Sequence, residues 1–235
     1  MKSLHKTFDI LEYVVLQNGR RVTPSEVAEG VGINIATCTR IMGELLKRGY
    51  LEQISRKEGY IAGPMIVSIA TRDSLYKQMA NAAAEPIYQL STALTSQVNA
   101  AVMQGSTRIM LTYYFRDYYM TMPWKQFHFM DHWQSAAGRL LLSSLDDREA
   151  KKICLKELKL EKYPKEEIET MRKNGFVRFE KDDKIILGHI VRCPGFPALA
   201  FGLAVQPEQS EKAFELVKQT AVKISNNLTG SGTAY

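Results

Sequence analysis

Ile35-Ala36-Thr37, then Thr39 and Arg40, set two hydroxyls, two apolar side chains and a guanidinium within about a turn and a half of helix. These are groups that read base edges in a major groove. An arginine can fork onto guanine O6 and N7 or grip a phosphate, and Ala36 or a threonine methyl suits the methyl of thymine. Further along, Arg56 and Lys57 stand in a polar turn, where they can enter the minor groove or flank it. Thr23 and Ser25 offer hydroxyls to a backbone phosphate, and Lys2, Lys6, Arg20 and Arg21 are further candidates for such contacts. Together these residue types imply contact with double-stranded DNA.

Such side chains need elements that aim them. Thr23-Pro24-Ser25-Glu26 reads as a capping box with proline at the first helical position, and Gly30-Val31-Gly32 ends the helix that it starts. Asn34 then caps a second helix running to Arg48, with Gly49 at the left-handed position beyond its end. Small Ala28, Gly32 and Cys38 allow the two helices to pack closely. A helix over Ser3–Gln17 precedes them, with a stripe at Leu4, Phe8, Leu11 and Val15 and with Ile10 and Val14 beside it. Two short alternating runs follow, 50–54 and 60–62, joined by the polar turn Ser55–Gly59. Three helices and a two-stranded ribbon make a winged helix-turn-helix.

Composition sets outer bounds. The hydrophobic fraction of 45% and charged fraction of 24% are ordinary for a globular protein. A net charge of +6 permits an anionic partner without demanding one. No apolar run approaches the roughly 20 residues of a membrane span, and three widely spaced cysteines suit a reducing cytoplasm rather than a disulfide framework.

Residues 4–70 resemble the DNA-binding domain of the IclR family of transcription regulators. The resemblance is carried by Phe8–Glu12, by the run from Ser25 through Ile41, and by Leu46–Glu52 and Gly59–Pro64. More faintly, Ser135-Ala136-Ala137-Gly138-Arg139-Leu140-Leu141-Leu142 and the strand ending Arg192-Cys193-Pro194 resemble the family's second domain. The resemblance implies an α+β chain: an N-terminal winged helix-turn-helix, then a GAF/PAS-like α/β sensor domain. It divides as residues 1–63, a linker helix over 64–80, and an effector-binding and oligomerisation domain over 81–235. It also implies a homodimer or tetramer on a palindromic operator. The alanine-rich run 80–84 allows close helix approach, in a dimer or within the chain, and dimerisation is favoured because two half-sites double the DNA contact.

For an effector, the strand 198–205 is informative. Alternation sets Ala198, Ala200, Gly202 and Ala204 on one face as a floor of small side chains, leaving room for a ligand or for a closely packed helix. The stretch from Tyr113 to Trp133 is rich in aromatic and methionine side chains, which make an adaptable apolar wall. Asp183 and Cys193 fall where the resembled family has an acidic residue and a pocket-lining position. The effector-binding set is therefore Tyr113, Trp133, Asp183, Cys193, Ala200, Gly202 and Ala204, with an aromatic compound or a small organic acid as ligand.

Other chemistry is less well supported. His128 and His132 are four apart, but in a stretch that reads as loop and without a third histidine, so neither metal nor cofactor is expected. Cys193 and His189 would lie roughly 13 Å apart along a strand, too far to activate a nucleophile. No catalytic residue is assigned. The expectation is a cytoplasmic, effector-responsive transcription regulator. The alternative is a metabolite-binding protein or DNA-tethered enzyme whose C-terminal domain carries the main activity.

Overall fold

The computed structural model describes residues 2–114 and 128–230, which divide into two compact units: one through Asp73, the other from Ser74 onward. In the first unit α1 (Lys2–Val15), α2 (Pro24–Val31) and α3 (Ile35–Lys47) precede the ribbon β1 (Leu51–Ser55) and β2 (Gly59–Ala62), followed by α4 (Pro64–Ala70). The local signals act as their chemistry requires. The Thr23 hydroxyl accepts from the Glu26 N–H, and the Glu26 carboxylate accepts from the Thr23 N–H at 2.7 Å. Asn34 Oδ1 accepts from the Ala36 N–H at 2.9 Å. Val27, Ala28, Cys38, Ile41, Met42 and Leu45 close a core with Ile10, Val14, Val22 and Leu51. The inward face of α1 is thus Ile10 and Val14, while Leu4 and Phe8 of the expected stripe stand 60% and 52% exposed. A backbone bridge from Val22 to Tyr60 ties the wing to the start of α2.

The second unit begins with α5 (Leu75–Leu94), followed by β3 (Val98–Gln104), β4 (Thr107–Tyr114) and the short β5 (His128–Phe129). Then come α6 (Ala136–Ser144), α7 (Asp147–Lys152), α8 (Lys165–Asn174), β6 (Phe176–Lys181), β7 (Lys184–Val191), β8 (Leu199–Val205) and α9 (Ser210–Gly230). Among the described residues the strands form one antiparallel sheet in the order β5-β4-β3-β8-β7-β6. Leu199, Phe201, Leu203 and Val205 join α5 and α9 in one core, whereas Ala200 joins α6 and α8 in the other. The sheet is therefore a middle layer between two pairs of helices.

Two local readings change, at the linker and at the sheet edge. The linker expected as one helix over 64–80 is two, because the Ser74 hydroxyl accepts from the Lys77 N–H and starts α5 afresh. The strand β6 went unrecognised: its sequence FVRFEK carries charges on an otherwise alternating pattern, as an edge strand does. The alanines of 80–84 also serve packing inside the chain. Ala82 and Ala83 are buried in the core shared with α9, and Asn227 Nδ2 donates to the Ala82 carbonyl at 2.9 Å.

Candidate functional site

The start of α3 presents Ile35 and Ala36 outward, and Arg40 is exposed with no hydrogen-bond partner among the described residues. Thr37 is half-buried. The Thr39 hydroxyl donates to the Ile35 carbonyl at 2.9 Å and so faces a partner only as an acceptor. Arg56 and Lys57 are exposed at the wing tip, likewise unpaired among the described residues, and Ser25 is exposed near the start of α2. Thr23, Arg20 and Arg21 are committed elsewhere. The Thr23 hydroxyl donates to Glu26 Oε2 at 2.9 Å, so its proton is not available to a phosphate. Arg20 pairs with Glu26 at 3.0 Å and Arg21 pairs with Glu58. The backbone N–H of Thr23, followed by the Arg20 guanidinium, holds the Glu26 carboxyl below its ordinary range.

In the second unit a cleft of about 430 Å³ opens where α6 begins, against the end of β8 and the start of β3. That volume suits a small organic molecule. Its wall includes Gln134, Ser135, Ala136, Ala137, Asn99, Lys184, Gly202 and Ala204. Ala136 and Ala137 open the helix, so their N–H groups have no intrahelical carbonyl to meet. Lys184 has no ion-pair partner among the described residues. The cleft therefore presents several donors and a cation, a set that suits a carboxylate.

Behind α6 lies a buried polar cluster. Arg108, 6% exposed, donates through Nη2 to Asp131 Oδ1 at 2.7 Å and through Nη1 to Ser135 Oγ. Its guanidinium lies over the Phe129 ring. Burial lowers its pKa from the ordinary value, while Asp131 opposes that shift. His132 is fully buried, and its Nε2 lies 2.9 Å from the Ser106 carbonyl. A carbonyl only accepts, so Nε2 carries the proton and Nδ1 is left bare, without a partner.

Burial, and after it the nearby Arg108 charge, lower the His132 pKa against the Ser106 hydrogen bond and the charges of Asp131 and Glu157. The unfolded chain then binds more protons below the ordinary histidine value of about 6.5. The stabilisation is complete above that pH and is lost as pH falls, at up to about 1.4 kcal/mol per pH unit for each such histidine. His189, whose Nδ1 lies 2.8 Å from the Ile190 carbonyl, is shifted the same way by burial. Urea midpoints at three pH values between 7.5 and 5.5 should fall with pH, and His132→Gln should lessen the dependence. A full slope in that variant would assign the effect elsewhere.

Of the effector residues expected from sequence, Gly202 and Ala204 line the cleft. Tyr113 pairs with Asn99 across β3 and β4 and shares its face of the sheet. The others lie elsewhere. Ala200 is fully buried beneath α6. An added Cβ at Gly202 would come within 2.7 Å of Ala136 Cβ, so part of the small-residue floor packs a helix closely. Trp133 stacks on Arg139, whose guanidinium is held between Trp133 and Phe179. Cys193 faces α9 on the other side of the sheet, its Sγ 3.3 Å from Ser225 Oγ. Asp183 sits in the β6–β7 turn with a positive φ of 57°, beside a separate shallow groove. The expected aromatic wall from Phe115 to Phe127 lies outside the described residues. Among the described residues no group of three His, Cys, Asp or Glu is placed to hold a metal. No helix among them is long and apolar enough to cross a membrane. Sequence reading missed Arg108, Ser135 and Lys184 as site residues.

The architecture is that of a winged DNA-reading module joined to a helix-flanked antiparallel sheet with a donor-lined cleft. Residues 5–52 match the family model described as winged helix-turn-helix DNA-binding. The particular fold is that of the IclR transcription regulators. An IclR homolog from Microbacterium hydrocarbonoxydans, solved with 4-hydroxybenzoate, superimposes with a TM-score of 0.72 at 16% identity, over 97% of this chain and 99% of that one. The IclR of Thermotoga maritima gives 0.66 at 20% identity with the same coverage. An IclR transcriptional regulator from Alicyclobacillus acidocaldarius gives 0.68 at 17%, again over 97% and 99%. A search of the curated proteins returns no significant match.

Proposed function

We propose that this protein is a cytoplasmic transcription regulator of the IclR type, binding a palindromic operator as a dimer, with a small carboxylate effector in the α6 cleft. The exposed N-terminal face of α3 beside a wing with unpaired cations carries the DNA reading. Ile35, Ala36, Thr37 and Arg40 choose the site. Arg56, Lys57 and Ser25 contact backbone, and Thr39 accepts only. Dimerisation is supported by the exposed apolar residues Leu4 and Phe8 on α1 and Val67 and Ile69 on α4. The effector reading is supported by the donor set of the cleft and by the aromatic carboxylate held by a protein of the same fold. Effector occupancy would act on DNA through a coupling free energy between the two sites.

The reading is tested by gel shift on the DNA upstream of the coding sequence against scrambled duplex. Arg40→Ala should lose about 1–3 kcal/mol at the preferred site and little elsewhere. Lys57→Ala should weaken all duplexes similarly and flatten the salt slope by about one. Equal, uniform weakening by both would remove Arg40 as a base reader. No preference of the wild type for its own DNA would remove the proposal.

A further inference from the structure

Ser135 stands between the buried arginine and the cleft. Its Oγ accepts from Arg108 Nη1 on one side and from the Gly138 N–H, at 3.1 Å, on another. A hydroxyl has two acceptor positions and one proton. Both acceptor positions are filled by N–H donors, and the Ser135 proton meets no acceptor among the described residues. Ser135 also lines the cleft. We infer that Arg108 is a positioning residue that sets ligand specificity: by occupying an acceptor position of Ser135, it obliges that hydroxyl to donate into the cleft. This rests on the cleft being the effector site.

The arrangement is over-determined. The second Arg108 nitrogen is anchored on Asp131, so the guanidinium has little freedom to leave Ser135. Gly138 is what allows the approach, since a Cβ there would sit 2.6 Å from Arg108 Nη1. Without the arginine, the Ser135 proton could turn inward toward the vacated space, and the cleft would meet a lone pair instead of a donor. A carboxylate oxygen would then face an acceptor. A neutral amide could offer its own N–H there and would lose little.

The test compares 4-hydroxybenzoate with 4-hydroxybenzamide, and acetate with acetamide, on the full chain labelled with ¹⁵N-alanine. Saturable shifts of the Ala136 and Ala137 amides report binding at the cleft. The wild type should favour the carboxylate of each pair by about tenfold or more, as hydrogen bonds to charged groups do. Arg108→Met should lower the ratio several-fold, and Arg108→Lys, which keeps a donor, should restore part of it. If Arg108→Met does not fold, Ser135→Gly gives the same answer, because glycine replaces serine at an N-cap with little loss. Its ratio should also fall several-fold with the arginine in place, while Lys184 and the α6 N–H groups keep part of the preference. A wild-type ratio kept in Ser135→Gly or Arg108→Met, or equal binding of acid and amide by the wild type, overturns the inference and leaves the cleft intact as a site. No saturable shift with any of the four compounds overturns both the inference and the effector reading, whereas the gel shift tests the DNA reading separately.

Discussion

Gly138→Ala is expected to lower the stability of the sheet-containing unit by about 3 kcal/mol, although alanine is the better helix former by up to ~1 kcal/mol. The new Cβ would lie 2.2 Å from the His132 carbonyl oxygen and 2.5 Å from His132 Cα, both backbone atoms that no rotamer change can move. Relief requires α6 to lift or the 132–135 turn to shift. Either displaces Ser135 from Arg108 and strips Nε2 of His132 from Ser106. A urea titration should show the loss, and any remaining folded protein should have lost carboxylate binding. Stability within 1 kcal/mol of wild type would mean that α6 has slack that this close packing denies.

Gly59→Ala should be comparably damaging in the other unit. Gly59 has a φ of 93°, where an alanine is strained by roughly 1–2 kcal/mol. Its Cβ would also lie 2.3 Å from the Val22 carbonyl oxygen and 2.7 Å from its carbon. Val22 exchanges two backbone hydrogen bonds with Tyr60, so the clash pries the wing from the start of α2. About 3 kcal/mol of combined strain and overpacking is expected. Operator affinity should fall at least about tenfold as Arg56 and Lys57 lose their placement. Gly19 supplies the comparison: its φ is 84° but nothing lies within 4 Å of an added Cβ. Gly19→Ala should lose only the conformational part. Equal losses at the two glycines would show that backbone conformation, not the close approach to Val22, sets the effect.

How much of this could be read beforehand depends on the distance over which each interaction acts. The capping box at Thr23, the Asn34 cap, the left-handed Gly49 and the alternation of β8 were legible from the chain alone. Each is a contract between residues at most four apart, or a period imposed by backbone geometry. The same short range exposed the winged motif and therefore the DNA-reading face. It did not reveal that the Thr23 proton is already donated to Glu26, or that Arg20 and Arg21 are paired, because those are competitions between partners rather than patterns.

The cleft belongs to the other kind of information. One face of β8 is small throughout, yet Ala200 lies beneath α6 while Gly202 and Ala204 reach the opening, since α6 covers the strand only in part. Arg108 and Ser135, 27 residues apart, meet because β4 and the start of α6 converge beside Asp131. The sequence by itself determined which elements form and that one module is built to read DNA, for those follow from local hydrogen bonding and periodic burial. Only the tertiary structure decided where the open volume lies and which hydroxyl faces it, because a cavity is what remains after distant elements have packed.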